Sequence, residues 1–302
     1  MTRFHTDLAM EAFDPEKSGT PTGVEVNRWE ASGVTLTEVL VTDEEASRML
    51  GKPRGRYLTM ECGLLRRRDP DARSAMAGLL AEELSRLLPD FGGDTCALVV
   101  GLGNRAITPD ALGPAVVERT LVTRHVRARL EGMDELRAVS AVAPGVLGVT
   151  GIETMDVVGS LVGLIRPAAV ICVDSLAARD SARIGSTIQL TDSGIQPGAG
   201  VGNRRSALTR DSVGAPVIAV GMPMVVHAST LVRDALISAF GEDGDAAAGW
   251  EDALGESPIR DMIVTPREID SMVEDAAGLI AGGINRALQP HLSDSEIEAM
   301  MN

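Results

Sequence analysis

Two short, uninterrupted apolar runs constrain this chain most. Residues 96–100 (Cys-Ala-Leu-Val-Val) and 168–173 (Ala-Ala-Val-Ile-Cys-Val) contain no charged or amide side chain and are too short for an ordinary helix. Such runs suit strands buried on both faces, as in a parallel sheet covered by helices. Each run stops abruptly and leads to an aspartate: Asp110, beyond Gly101-Leu102-Gly103-Asn104, and Asp174, which follows at once. Loops at the carboxyl ends of strands line the crevice of an open α/β sheet. Two aspartates brought there can share a site, and a carboxylate pair with unequal proton affinities can activate water.

The rest of the pattern agrees with that class. Residues 34–42 and 57–61 read as strands, and Asp43-Glu44-Glu45 opens a short helix that ends at Gly51. Residues 71–88 carry Ala75, Met76, Leu79, Leu80, Leu84 and Leu87 at helical spacing. Further helices are expected over 114–125, 151–165, within 223–240, over 266–288 and from Ser293 onward. Strands are expected at 139–142, 187–190 and 216–220. The alternation predicts an α/β fold, a mostly parallel twisted sheet with helices on both faces, preceded by an N-terminal extension. Residues 1–30 read as an extended arm, and 241–255 as a surface loop.

Composition narrows the function. A formal net charge of −15 repels phosphate backbones, and 2 % aromatic residues leave little for base stacking, so no nucleic-acid partner is expected. Cys62, Cys96 and Cys172 form no framework of pairs, and the first residues lack an apolar leader. A reducing cytoplasm is the expected compartment, and no membrane span is expected. His5, His125, His227 and His291 show no zinc-binding spacing, so no metal and no cofactor are expected.

Each candidate has a structural alternative. Gly101-Leu102-Gly103-Asn104 fits a loose Gly-x-Gly-x-x-Ala, but Thr108-Pro109 delays the helix that a dinucleotide site requires. The better reading is a tight turn whose amides approach a substrate carbonyl or a carboxylate. Asp110 admits a role in helix initiation, although Gly113-Pro114 places the helix start beyond it. Asp174 admits an N-cap role, with Arg179 as an ion-pair partner. The Gly-rich stretch 191–205 reads as a surface loop or as a substrate-contacting loop. It contains Asp192, a weak third carboxylate, and Arg204 and Arg205. His227 follows a strand and either approaches the crevice or is structural.

Seven segments then match a known family: Val99-Val100-Gly101-Leu102-Gly103-Asn104, Thr108-Pro109-Asp110-Ala111-Leu112-Gly113-Pro114, Leu121-Val122-Thr123-Arg124-His125, Ala143-Pro144-Gly145-Val146, Thr150-Gly151-Ile152-Glu153-Thr154, Asp174-Ser175-Leu176-Ala177-Ala178-Arg179 and Val264-Thr265-Pro266-Arg267-Glu268-Ile269-Asp270. They resemble the germination protease of spore-forming bacteria, over about residues 3–288. The resemblance implies an endopeptidase that degrades small acid-soluble spore proteins in the spore core, with a fold similar to hydrogenase-maturation proteases. It implies a homotetramer, made as a zymogen that removes its own N-terminal segment, and catalytic aspartates at Asp110 and Asp174.

Thr6-Asp7-Leu8-Ala9 resembles the substrates' cleavage motif, which makes Asp7–Leu8 the expected processing bond. The expected organisation is one peptidase domain over 1–302: a propeptide at 1–7, and an arm and subdomain at 8–95 packed on a 96–290 core. The propeptide is shorter than the family implies, 241–255 replaces a longer insertion, and His227 stands where an acid is expected.

On this reading one aspartate is ionised and activates water, while the other is protonated and polarises the scissile carbonyl. Amides at 101–104 steady the oxyanion. An arginine among Arg179, Arg204 and Arg205 reads the acid before the cut. The alternatives are a metal-dependent peptidase of the hydrogenase-maturation kind and a non-catalytic peptide- or nucleotide-binding module.

Overall fold

The computed structural model describes residues 6–13, 19–91, 95–127, 135–198, 206–241 and 257–301. Among the described residues nine strands form one sheet: β1 (Val24–Ala31), β2 (Val34–Val41), β3 (Gly55–Glu61), β4 (Cys96–Gly101), β5 (Ala138–Val142), β6 (Ala169–Ala178), β7 (Thr187–Thr191), β8 (Val217–His227) and β9 (Ile263–Val264). The order is β1-β2-β3-β7-β8-β6-β4-β5, with β9 on the end of β8. The expected α/β class holds, but the sheet is mixed. Strands β5, β4, β6 and β8 run parallel, while β7, β3, β2 and β1 continue it antiparallel. The N-terminal strands therefore extend the sheet rather than packing on it as a separate layer.

Longer helices are α1 (Glu44–Leu50), α2 (Pro70–Leu87), α3 (Leu112–Val117), α4 (Thr154–Ile165), α5 (Ala228–Phe240), α6 (Ile269–Leu288) and α7 (Asp294–Met301). Helices α2 and α6 cover one face, placing Met76, Leu80, Leu84, Ile280 and Ile284 in one cluster with Leu58, Met60, Val99, Ile171 and Ile218. On the other face, Val158 and Val162 of α4 join Leu98, Val100, Val170, Cys172 and Val217. Neighbouring residues of β4 and β6 thus point to opposite cores, which is why both strands read as unbroken apolar runs. Among the described residues no helix is long and apolar enough to cross a membrane.

Three expectations need correction. The arm contains β1, joined to β2 through Ser32 and Gly33, whose φ values of 51° and 75° suit a two-residue hairpin turn. The helix expected over 114–125 begins at Leu112 and ends at Val117, after which the chain turns back onto the sheet. Thr123 N donates to Val139 O, and Val139 N to Thr123 Oγ1. Strands β6 and β8 run past Val173 and Val220, because they pair along almost their whole length across a bulge between Leu176 and Ala177. The segment 223–227, expected near a helix, is strand.

The chain leaves β4 for β5 on one side and reaches β6 on the other. The order in which the chain adds strands to the parallel half therefore reverses between β4 and β6. Side chains at their carboxyl ends face a crevice at this topological switch point.

Candidate active site

The last β4–β6 pair is Gly101 with Val173, so Asp174 sits one residue beyond the reach of β4. It remains within β6, paired with β8 at Gly221, and is not a helix N-cap. Its carboxyl accepts from its neighbour's amide (Ser175 N to Asp174 Oδ1, 2.9 Å). Asp110 reaches the crevice from the turn Thr108–Asp110, and its Oδ2 accepts from Asn104 N at 2.8 Å.

The turn that holds Asp110 depends on glycine. Gly103 has a φ of +112°, and a methyl group there would lie 2.0 Å from the Asp110 carbonyl oxygen. Gly101 packs against α3, where an added methyl group would lie 2.2 Å from Gly113 O. Leu102 N donates to Val173 O. The amides of Leu102 and Asn104 are thus engaged within the chain, on the backbone and on Asp110.

Both aspartates line a cavity of about 390 Å³, together with Leu102, Pro109, Val146, Thr154, Ser175, Pro197, Gly198 and Thr265. The segments after β4, β5 and β7 contribute, together with Asp174 and Ser175 from within β6. Asp7 lines the same cavity. The segment 6–8 lies alongside β6: Asp7 N donates to Ala177 O at 2.8 Å, and Ala177 N to Asp7 Oδ2 at 2.8 Å. Leu8 is fully buried in an apolar cluster with Leu176, Ala178, Ile184 and Val226. Beyond it, Glu11 accepts from Arg179 N and Asp180 N and pairs with Arg183, 2.7 Å away.

Three acids thus converge. Burial pushes the Asp174 carboxyl well above the usual carboxylate range, and the charges of Asp110 and Asp7 push it further, against the Ser175 amide. Burial also raises Asp110, opposed by the Asn104 amide. Burial raises Asp7, opposed chiefly by the charge of Lys52 and by the Ala177 amide. The Ser175 hydroxyl on the cavity wall is buried and has no hydrogen-bond partner among the described residues.

The germination protease profile matches residues 5–247. The chain is 40 % identical over 317 residues to the germination protease of Caldanaerobacter subterraneus subsp. tengcongensis, with 98 % of each covered. It is 38 % identical over 326 residues to that of Clostridium perfringens, with 100 % of each covered. For Bacillus cereus the figures are 36 % over 353 residues, covering 97 % of this chain and 96 % of the relative.

The chain belongs to the germination protease family. It is therefore a peptidase, and protein is its class of substrate. A [NiFe] hydrogenase maturation protease from Thermococcus kodakarensis resembles it at TM-score 0.35 and 15 % identity, covering 68 % of this chain and 98 % of that one. That likeness is too distant to carry an argument.

In this germination protease family member, the structure sorts the remaining predicted residues. Arg204 and Arg205 lie outside the described residues, as does 242–255 of the expected loop. Arg179 lines a neighbouring pocket with Glu11, Arg183 and Asp234. Among the described residues, the cation that bears most on the Asp7 carboxyl is Lys52. Asp192 is structural, its Oδ1 accepting from Arg56 N at 2.8 Å. The third carboxylate at the crevice is Asp7 itself.

His227 ends β8, is 7 % exposed, and acts electrostatically on Asp7. Cys172 is wholly buried, its thiol pushed far up by burial, and is core. Among the described residues no three His, Cys, Asp or Glu side chains are grouped to hold a metal ion. Sequence reasoning missed Lys52 and Gln189. One signal was available: the chain has just two lysines, Lys17 and Lys52.

Proposed function

We propose that this chain is an endopeptidase that begins the degradation of small acid-soluble spore proteins at germination. It is made as a zymogen, and the Asp110–Asp174 pair cuts its own Asp7–Leu8 bond to release residues 1–7. One observation carries this reading: the segment that resembles a substrate cleavage motif lies along β6 with Asp7 in the same cavity as both aspartates. An extended peptide bound this way presents backbone to the strand and side chains to pockets, as in strand addition. The Ala177 amide and the Lys52 charge receive the acidic side chain before the cut, and the Leu8 pocket receives the apolar one after it.

The surroundings of the two aspartates support different roles. Asp174 is the more deeply buried and feels both other acids, so it stays protonated and serves as the proton donor. Asp110 is partly exposed and accepts an amide N–H, so it ionises first and takes the proton from water. The remaining expectations stand as part of the proposal: a homotetramer in the spore cytoplasm that needs no cofactor and binds no nucleic acid.

The test is to follow the full chain by mass and N-terminal sequence. The parent chain is expected to lose seven residues and begin at Leu8, and then to cut small acid-soluble spore proteins after acidic residues. Asp110→Asn and Asp174→Asn are expected to leave the chain whole. Processing that persists in both variants removes the pair from the mechanism.

A further inference from the structure

A peptide bond that is to be hydrolysed needs more than an acid and a base. Charge builds on its carbonyl oxygen when water adds, and donors already aimed at that oxygen are among the largest contributions to catalysis. The Asp7 carbonyl oxygen has two such donors. Lys52 Nζ lies 2.9 Å from it and Gln189 Nε2 lies 3.0 Å from it. Lys52 also donates to Thr6 O at 3.0 Å, and Gln189 Oε1 accepts from Ala9 N at 2.7 Å. One glutamine thus grips the chain on both sides of the Asp7–Leu8 bond.

The two donors come from elements far apart in sequence. Lys52 follows Gly51, the left-handed residue that ends α1, and the turn directs its side chain inward. Gln189 sits in the middle of β7, 6 % exposed, opposite Gly221 of β8. Burying an ammonium is costly, and burial lowers the proton affinity of Lys52. A chain that otherwise uses arginine for its positive charges places one of its two lysines here. An ammonium is a compact point charge with three rotatable donors, which here reach the neighbouring carbonyl oxygens of Thr6 and Asp7.

We propose that Lys52 and Gln189 form the carbonyl clamp of this peptidase, holding the oxygen of the residue before the cut and stabilising the negative charge that develops there. The inference rests on the reading that Asp7–Leu8 is hydrolysed at the aspartate pair, and it changes how that pair works. With the carbonyl oxygen held by the clamp, the Asp174 proton is not needed there. The water oxygen bonds to the Asp7 carbonyl carbon, its proton passes to Asp110, and the carbonyl electron pair moves onto the clamped oxygen. The C–N bond then breaks as Asp174 gives its proton to the Leu8 nitrogen. The proton on Asp110 passes back to Asp174, so one water is consumed and the pair is restored.

The experiment compares Lys52→Met, Gln189→Glu and the double variant in the full chain. Gln189→Glu keeps an oxygen for Ala9 N and loses the donor when its carboxyl is ionised, so it is compared with the parent across pH, because a protonated carboxyl restores an O–H donor. Self-processing is followed by mass. A synthetic peptide containing Thr-Asp-Leu-Ala is then supplied to processed parent enzyme and to each variant prepared without residues 1–7, and kcat and KM are measured separately.

Each single variant is expected to lose about 10²–10³ in kcat, with a much smaller change in KM, and Gln189→Glu to show this loss where its carboxyl is ionised. A clamp that only positions the chain would raise KM and spare kcat, which overturns the proposal. Parent-like kcat in Gln189→Glu and in the double variant overturns it as well. Asp110→Asn and Asp174→Asn run alongside separate the two claims. Should they also cut, or should the new N-terminus not be Leu8, the underlying reading fails. Should they be inert while the clamp variants cut at parent rate, the clamp alone fails.

Discussion

At the scale of single residues, the crevice sets three carboxyls against one another. Asp174 is 5 % exposed, and its proton affinity is raised by burial first and by Asp110 and Asp7 second. A carboxyl raised on folding favours the folded state at low pH, and that contribution is lost as pH rises from the ordinary value of 3.8 through the raised one. Asp174→Asn removes the ionisation. The variant is expected to be inactive yet more stable than the parent at pH 7–8, by about 1–3 kcal/mol, the range for relieving one badly placed buried polar group. The gain should vanish below about pH 4. Thermal melts across pH check this, and a variant less stable than the parent at pH 8 would contradict it. Activity should likewise fall on the alkaline side as Asp174 gives up its proton.

Gly103→Ala tests the turn beneath Asp110. An added methyl group would meet the Asp110 carbonyl oxygen at 2.0 Å in a backbone with a φ of +112°. The expected cost is about 2–3 kcal/mol, with loss of cleavage because Asp110 is displaced. A melting curve and a processing assay on the same sample decide the point.

At the scale of elements, the segment 6–13 acts as a strap. Leu8 fills an apolar pocket, and Glu11 ties down the β6 end through Arg179 N, Asp180 N and Arg183. Leu8→Ala empties that pocket, a change that costs about 2–5 kcal/mol in a packed core. Part of this loss falls on docking of the strap, so self-processing is expected to slow at least tenfold. Equal processing rates would show that Leu8 packing does not set the register of the cut.

Most elements were legible in the sequence because their signals are local. Asp43 caps α1 through Ala46 N, Gly51 ends it in the left-handed region, and Ser293 with Glu296 opens α7. The apolar stripe of 266–288 became α6. Local signals failed where partners override them. Strands β6 and β8 grew past their apolar cores because each supplies the other's hydrogen bonds. The segment 118–123 lost its helix to contacts with β5 and α6, where Leu121 N donates to Asn285 Oδ1.

At the scale of the whole molecule, the strap occupies the crevice of its own chain. Self-processing should therefore be first order, with a half-time unchanged over a hundredfold range of protein concentration. Adding parent enzyme in trace amount to Asp174→Asn should leave the variant whole while its strap stays docked. Rates that scale with concentration would instead indicate cutting between chains.

The sequence by itself determined the α/β class, the two buried strands and the two aspartates that follow them, since burial on both faces and the abrupt arrival of a charge are written in consecutive residues. The resemblance it carried pointed to the processing bond as well. Only the tertiary structure brought Lys52, from the end of a surface helix, and Gln189, from the middle of an antiparallel strand, to one carbonyl oxygen. The reason is physical: strand order and register are set by pairing between distant segments, and the partners of a buried polar group leave no periodic mark along the chain.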